Sequence, residues 1–200
     1  MSMISEKDKI EYINSLDLYI LSHGGVGSNY LIDYLQERGL SVKTNIKLYQ
    51  NTCHYSYKLV PDKKTIYIYG NIIESIISQY KRGYLHVNAT KIHKSRDYNH
   101  ENLEYFIKNY PDDPIGIKKQ INSLKNSKNT VFIEYPYDKD NLENAFKILN
   151  LKIDLKNFNI KNRNTILKIE DLHNYDNILQ NIIKVYINYD YKSEFTCSNG

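Results

Sequence analysis

The run Leu18-Tyr-Ile-Leu-Ser-His-Gly-Gly-Val-Gly-Ser-Asn-Tyr-Leu-Ile-Asp-Tyr-Leu35 constrains this chain more than any other stretch. Leu18 to Leu21 is an apolar run that reads as a buried strand. Gly24, Gly25 and Gly27 follow, and a helical pattern starts at Ser28 or Asn29, with Leu31, Ile32 and Leu35 on one face and a stop at Gly39. Strand, glycine turn and helix together aim backbone N–H groups and the positive end of a helix dipole at one spot, which suits a phosphate or sulfate. Glycine at the turn permits close approach of an anion and the positive φ angles of a tight anion-binding loop. The same arrangement also serves as a plain connection. It is neither a Walker A loop, since Ser28-Asn29 stands where Lys-[Ser/Thr] is required, nor a dinucleotide G-x-G-x-x-G.

The rest of the chain alternates strands and helices. Thr65 to Tyr69 is a second apolar strand, followed by Gly70-Asn71 and a helix from Ile72 to about Arg82. Ile72, Ile73, Ile76, Ile77 and Tyr80 form one stripe of that helix, a core-packing pattern. Thr130 to Glu134 is a third strand, with an amphipathic helix over 141–149. A polar segment rich in Tyr, His and Asn spans Leu85 to Asn109, and a helix near Ile115 to Leu124 is introduced by Pro114. Residues 1–12 are polar and read as a frayed helix, 157–164 as a loop, and about 176–188 as a last helix. This order predicts one three-layer αβα domain over residues 1–200 with a mostly parallel sheet. Ligands of such sheets sit at the carboxyl ends of the strands, so the loop Gly24 to Ser28, Gly70-Asn71 and Tyr135 are expected on one rim.

Composition narrows the function classes. The net charge of +4 comes from scattered basic residues, which fits an anionic ligand but not a nucleic-acid surface. No apolar run is long enough for a membrane span, and no secretory leader pattern opens the sequence. Cys53 and Cys197 fit no metal-ligand spacing, so reduced thiols in a cytoplasmic protein are expected. His86, His93 and His100 share a spacing of seven, but no helix period or cysteine supports a zinc site.

Four segments, in order, resemble the sulfotransferase superfamily, whose donor is 3′-phosphoadenosine 5′-phosphosulfate (PAPS). Ser22 to Leu31 resembles the 5′-phosphosulfate loop, and Gly27, Ser28, Asn29, Tyr30 and Leu31 match its ending. Thr52 to Pro61 resembles the segment bearing the catalytic histidine, here His54, with a proline seven positions on. Ile66 to Ser78 resembles the 3′-phosphate motif, with the interval from its arginine to its serine kept between Gly70 and Ser78. Thr130 to Leu151 resembles the family's strand, Tyr-Glu-Asp-Leu turn and helix, with Tyr135 at the tyrosine position. Val185 to Tyr191 is reminiscent of the last helix in many members.

The resemblance implies a P-loop NTPase-like sulfotransferase fold and sulfuryl transfer from PAPS to a hydroxyl acceptor, leaving 3′,5′-adenosine bisphosphate (PAP). No metal is expected. His54 becomes the general base, with His23, His86 and His93 as substitutes. Gly25, Val26, Gly27, Ser28 and Asn29 cradle the phosphosulfate, Asn71 and Ser78 meet the 3′-phosphate, and Tyr135 lies near the adenine. A carbohydrate acceptor is the guess from the polar segment Leu85 to Asn109, with tyrosyl, lipid and small-molecule acceptors open beside it. Two charges of the family pattern are missing: Gly25 replaces a lysine and Gly70 an arginine, while Ile72 replaces a proline. Arg82, on one helix face with Ser78, and Arg163, in the loop Lys161 to Asn164, are the expected substitutes. A solvated helix end is the alternative for Lys81 and Arg82. The missing charges keep open a non-catalytic nucleotide- or partner-binding member of the same fold. An ATP-dependent phosphotransferase is disfavoured by the absent Walker lysine.

Overall fold

The computed structural model describes residues 5–42, 60–94, 101–124, 127–159 and 174–190. Three strands, β1 (Tyr19–Ser22), β2 (Thr65–Tyr69) and β3 (Thr130–Glu134), form a parallel sheet in the order β1-β2-β3. Ser22 pairs with Ile68, and Tyr69 with Glu134, so all three strands end on one rim. Around them lie α1 (Glu6–Ser15), α2 (Ser28–Gln36), α3 (Ile72–Lys81), α4 (Leu85–Lys94), α5 (Leu103–Asn109), α6 (Ile117–Asn122), α7 (Lys139–Ile148) and α8 (Asn177–Tyr186).

Strand alternation divides the core in two. Leu18, Ile20, Ile66 and Ile68 join one apolar cluster with α2 and α7, through Leu31, Leu35, Leu142 and Phe146. Tyr19, Leu21 and Tyr67 point to the other face, among Ile76 and Ile77 of α3, Ile121 of α6 and Leu179 and Ile183 of α8. Helices therefore cover both faces, as a parallel sheet buried on both sides requires. The architecture is α/β with a small parallel sheet. No helix among the described residues is long and apolar enough to cross a membrane.

Two expectations change. Glu6 to Ser15 forms one helix, α1, with a Ser5–Asp8 capping box at its start, and Tyr12, Ile13 and Leu16 are core residues. The segment Leu85 to Asn109 is likewise scaffold in large part, because α4 and α5 bury Leu85, Ala89, Ile92 and Phe106. Its apolar residues are spaced for helix faces but diluted by Asn, His and Lys.

Candidate functional site

The loop after β1 is built by positive φ angles at Gly24 (91°), Gly25 (71°) and Gly27 (72°). Gly27, in the left-handed conformation, is the N-cap of α2, and the first helical bond runs from Leu31 N–H to the Gly27 carbonyl. Tyr137 Oη donates to that same carbonyl at 3.2 Å. Val26 is buried and anchors the loop in the α2/α7 cluster. Beneath the loop, Ser22 Oγ donates to Ser28 Oγ at 3.1 Å and accepts from Gly24 N–H at 3.3 Å.

Among the described residues α2 and α6 bear a left-handed glycine N-cap. At α6, capped by Gly116, the Asp113 carboxylate accepts from Lys118 N–H (3.1 Å) and Lys119 N–H (2.9 Å). The chain there seats its own anion on a helix N-terminus. At α2 the N-cap Gly27 has no side chain of its own to cap with. Its first turn, with Asn29 and Tyr30 exposed, presents N–H groups that precede the first i→i−4 bond.

Gly25 and Gly70 are both closely packed. A Cβ on Gly25 would lie 3.1 Å from both Cα and the carbonyl oxygen of Ser75, and the residue's φ already disfavours any side chain. A Cβ on Gly70 would lie 3.1 Å from Val26 Cγ1 and 3.3 Å from Tyr135 Cβ. The turns after β1, β2 and β3 thus converge at Gly70.

A buried polar network holds this convergence together. His23, 1% exposed, accepts Gly70 N–H on Nε2 at 3.3 Å. Its carbonyl accepts from Gln79 Nε2 at 3.2 Å, and Gln79 Oε1 accepts from Asn88 Nδ2 of α4 at 2.6 Å. On the other side, Gln120 Nε2 donates to the Ser22 carbonyl (3.1 Å), and Tyr67 Oη donates to Gln120 Oε1 (3.0 Å). Buried amides placed this way satisfy backbone groups that the irregular loop leaves without ladder partners.

Gly25, Val26, Gly27, Ser28, Asn29, Asn71 and Tyr135 all lie on the rim. Asn71 caps α3, its Oδ1 accepting Glu74 N–H at 3.2 Å, so its Nδ2 is the group turned to donation elsewhere. Tyr135 is half-buried, its N–H bonded to the Tyr69 carbonyl and its ring edge-on to Tyr137. The face of α3 that meets the glycine loop carries Ser75 and Gln79, one turn apart. Ser78 lies to the side and is half-buried, and Arg82 is exposed, with Nε on the Ser78 carbonyl at 3.0 Å. Lys81 places its ammonium 5.5 Å from the centre of the Tyr175 ring. His54 and Arg163 lie outside the described residues.

The histidines named as substitutes divide by place. His23 is inside the rim, and its Nε2 lone pair is engaged by Gly70, which removes it from proton abstraction. His93 is stacked on Tyr110 at 3.8 Å, with Nε2 on the Asp113 carbonyl at 2.9 Å, and burial lowers its pKa. His86 lines a cavity of about 320 Å³ with Tyr80, Glu101, Asn102, Leu103, Glu104 and Ile178, and that cavity does not include the glycine loop. Among the described residues no three His, Cys, Asp or Glu side chains are grouped to hold a metal ion.

Ser75, Gln79 and Asn88 are the rim-supporting residues that motif reading missed. Their signal in the sequence is the i, i+4 spacing of Ser75 and Gln79 on the helix that also carries the apolar stripe. No family model, curated protein or solved structure matches this chain.

Proposed function

We propose that this chain binds PAPS along the rim and transfers its sulfuryl group to a hydroxyl acceptor. The observation that carries the reading is the first turn of α2, whose N-cap is a glycine and which is entered through the positive-φ glycine loop at the end of a parallel strand. The loop amides and the Ser28 hydroxyl would take the 5′-phosphosulfate. Gly70-Asn71 and the α3 flank, with Ser78 and Arg82, would take the 3′-phosphate, and Tyr135 would flank the adenine. His54 would accept the acceptor's proton, and Arg163 would close on the nucleotide. A carbohydrate hydroxyl remains the proposed acceptor class, and the protein is proposed to act in the cytoplasm.

Enclosure of Gly25 and Gly70 favours a second reading, a nucleotide-binding member without turnover. Removing one preorganised donor to a developing anion costs about a hundred- to a thousandfold in rate, and a Cβ at either position would crowd a neighbour at 3.1 Å. Calorimetric titration with PAP, with ADP and ATP as controls, tests the site. Binding selective for PAP, weakened by Ser78→Ala or Arg82→Ala, is the expected result. Equal binding of ATP, or none of PAP, refutes it. PAP binding without PAPS turnover across an acceptor panel selects the second reading.

A further inference from the structure

We infer that His23 is a positioning residue that latches the glycine loop to the Gly70 turn, making one rigid anion-binding rim out of two separate turns. The inference rests on the donor-site reading above. Its side chain and its backbone bind different elements. Nε2 accepts from Gly70 N–H on the β2–α3 turn, while the carbonyl accepts from Gln79 on α3, which is tied in turn to Asn88 on α4. The neutral ring carries its proton on Nδ1 in this arrangement, because a neutral imidazole has one donor and one acceptor nitrogen. The ring is 1% exposed, so water does not compete for the bond.

A Cβ on Gly70 would press on Val26 and Tyr135, and it is the Gly70 N–H that ties the turn down. The residue that reaches that N–H sits immediately before the glycine loop. A nucleotide carrying a 5′ and a 3′ phosphate would touch both turns at once, and its advantage over a 5′-monophosphate depends on the spacing between them. Fixing that spacing before binding avoids an ordering cost at binding. His23 thus acts on affinity through geometry and touches no ligand.

The test compares His23→Phe, which keeps a ring but has no acceptor, with His23→Gln, whose side-chain oxygen can accept from Gly70. Three readouts apply: amide hydrogen exchange at Gly70, PAP affinity, and the ratio of PAP to 5′-AMP affinity. One lost hydrogen bond of ordinary worth corresponds to about tenfold in affinity. His23→Phe is expected to expose the Gly70 amide to exchange, weaken PAP about tenfold and compress the PAP/AMP ratio, with His23→Gln recovering most of each. Wild-type binding of PAP that His23→Phe leaves intact overturns the latch while sparing the donor site. Wild-type protein that ignores PAP overturns the donor site, and with it the latch's role in binding. If His23→Phe does not fold, the imidazole nitrogen resonances of the wild type decide: a protonated Nε2 at neutral pH refutes the latch.

Discussion

Gly25→Ala should destabilise the protein several times more than Gly39→Ala, although both residues have a left-handed backbone. At Gly39 (φ 83°) a new Cβ meets nothing within 4 Å. Its cost is conformational: about 1–2 kcal/mol for an L-residue in that region, less about 0.4–1 kcal/mol because alanine narrows the unfolded ensemble. About 1 kcal/mol remains. At Gly25 (φ 71°) the same balance applies, and the Cβ also lies 3.1 Å from Ser75 Cα and O. Those are backbone atoms of α3 and cannot rotate aside. Forcing a group into such a contact costs about 1–3 kcal/mol more, for a total of about 2–4 kcal/mol. For a domain of this size about 2–4 °C of melting temperature corresponds to each kcal/mol. Calorimetric melting should therefore fall by roughly 4–16 °C for Gly25→Ala and by roughly 2–4 °C for Gly39→Ala. Equal shifts, or a stable Gly25→Lys protein that binds PAP more tightly than wild type, would refute the enclosure of Gly25. They would return that position to the role of a missing cation.

Two further outcomes follow from the same structure. Gln79→Leu removes the partners of the His23 carbonyl and of Asn88 Nδ2, both buried, and should cost about 2–4 kcal/mol in urea unfolding; a neutral substitution would show that the network supports nothing. Burial holds the His93 pKa below its ordinary 6.5, against the Asp113 charge and carbonyl bond that raise it, with Lys119 adding to the lowering. The unfolded chain then takes up a proton near pH 6.5 that the folded chain refuses, so this contribution is full above that pH and is lost as pH falls below it. His93→Gln should flatten the stability profile in that window, and an unchanged slope would assign the acid sensitivity to other groups.

Much of the architecture was legible because periodicity and glycine act locally. Thr65 to Tyr69 and Thr130 to Glu134 are strands as read, and the helices after the first two turns begin within a residue of their expected starts. Each element carries its own signal: β-branched and aromatic runs, an Asn71 cap, a glycine turn. The first helix was harder to read because only Tyr12, Ile13 and Leu16 commit it to the core, and they come after a polar first turn. The segment from Leu85 was harder still. Its few apolar residues are buried only because α3, α6 and α8 surround them, and no local pattern announces those neighbours.

For the rim, the amino-acid order by itself determined that a glycine loop precedes a helix and that Gly25 and Gly70 carry no charge. Those are properties of residue type and adjacency. Only the tertiary structure decided why glycine stands at both positions: the Ser75 backbone, Val26 and Tyr135 come from three separate stretches and fill the space a side chain would need. It also decided that His23 meets Gly70, a pairing 47 residues apart in the chain. Parallel pairing of β1 with β2 brings their carboxyl ends together, and no local propensity encodes which atoms then come within hydrogen-bonding distance.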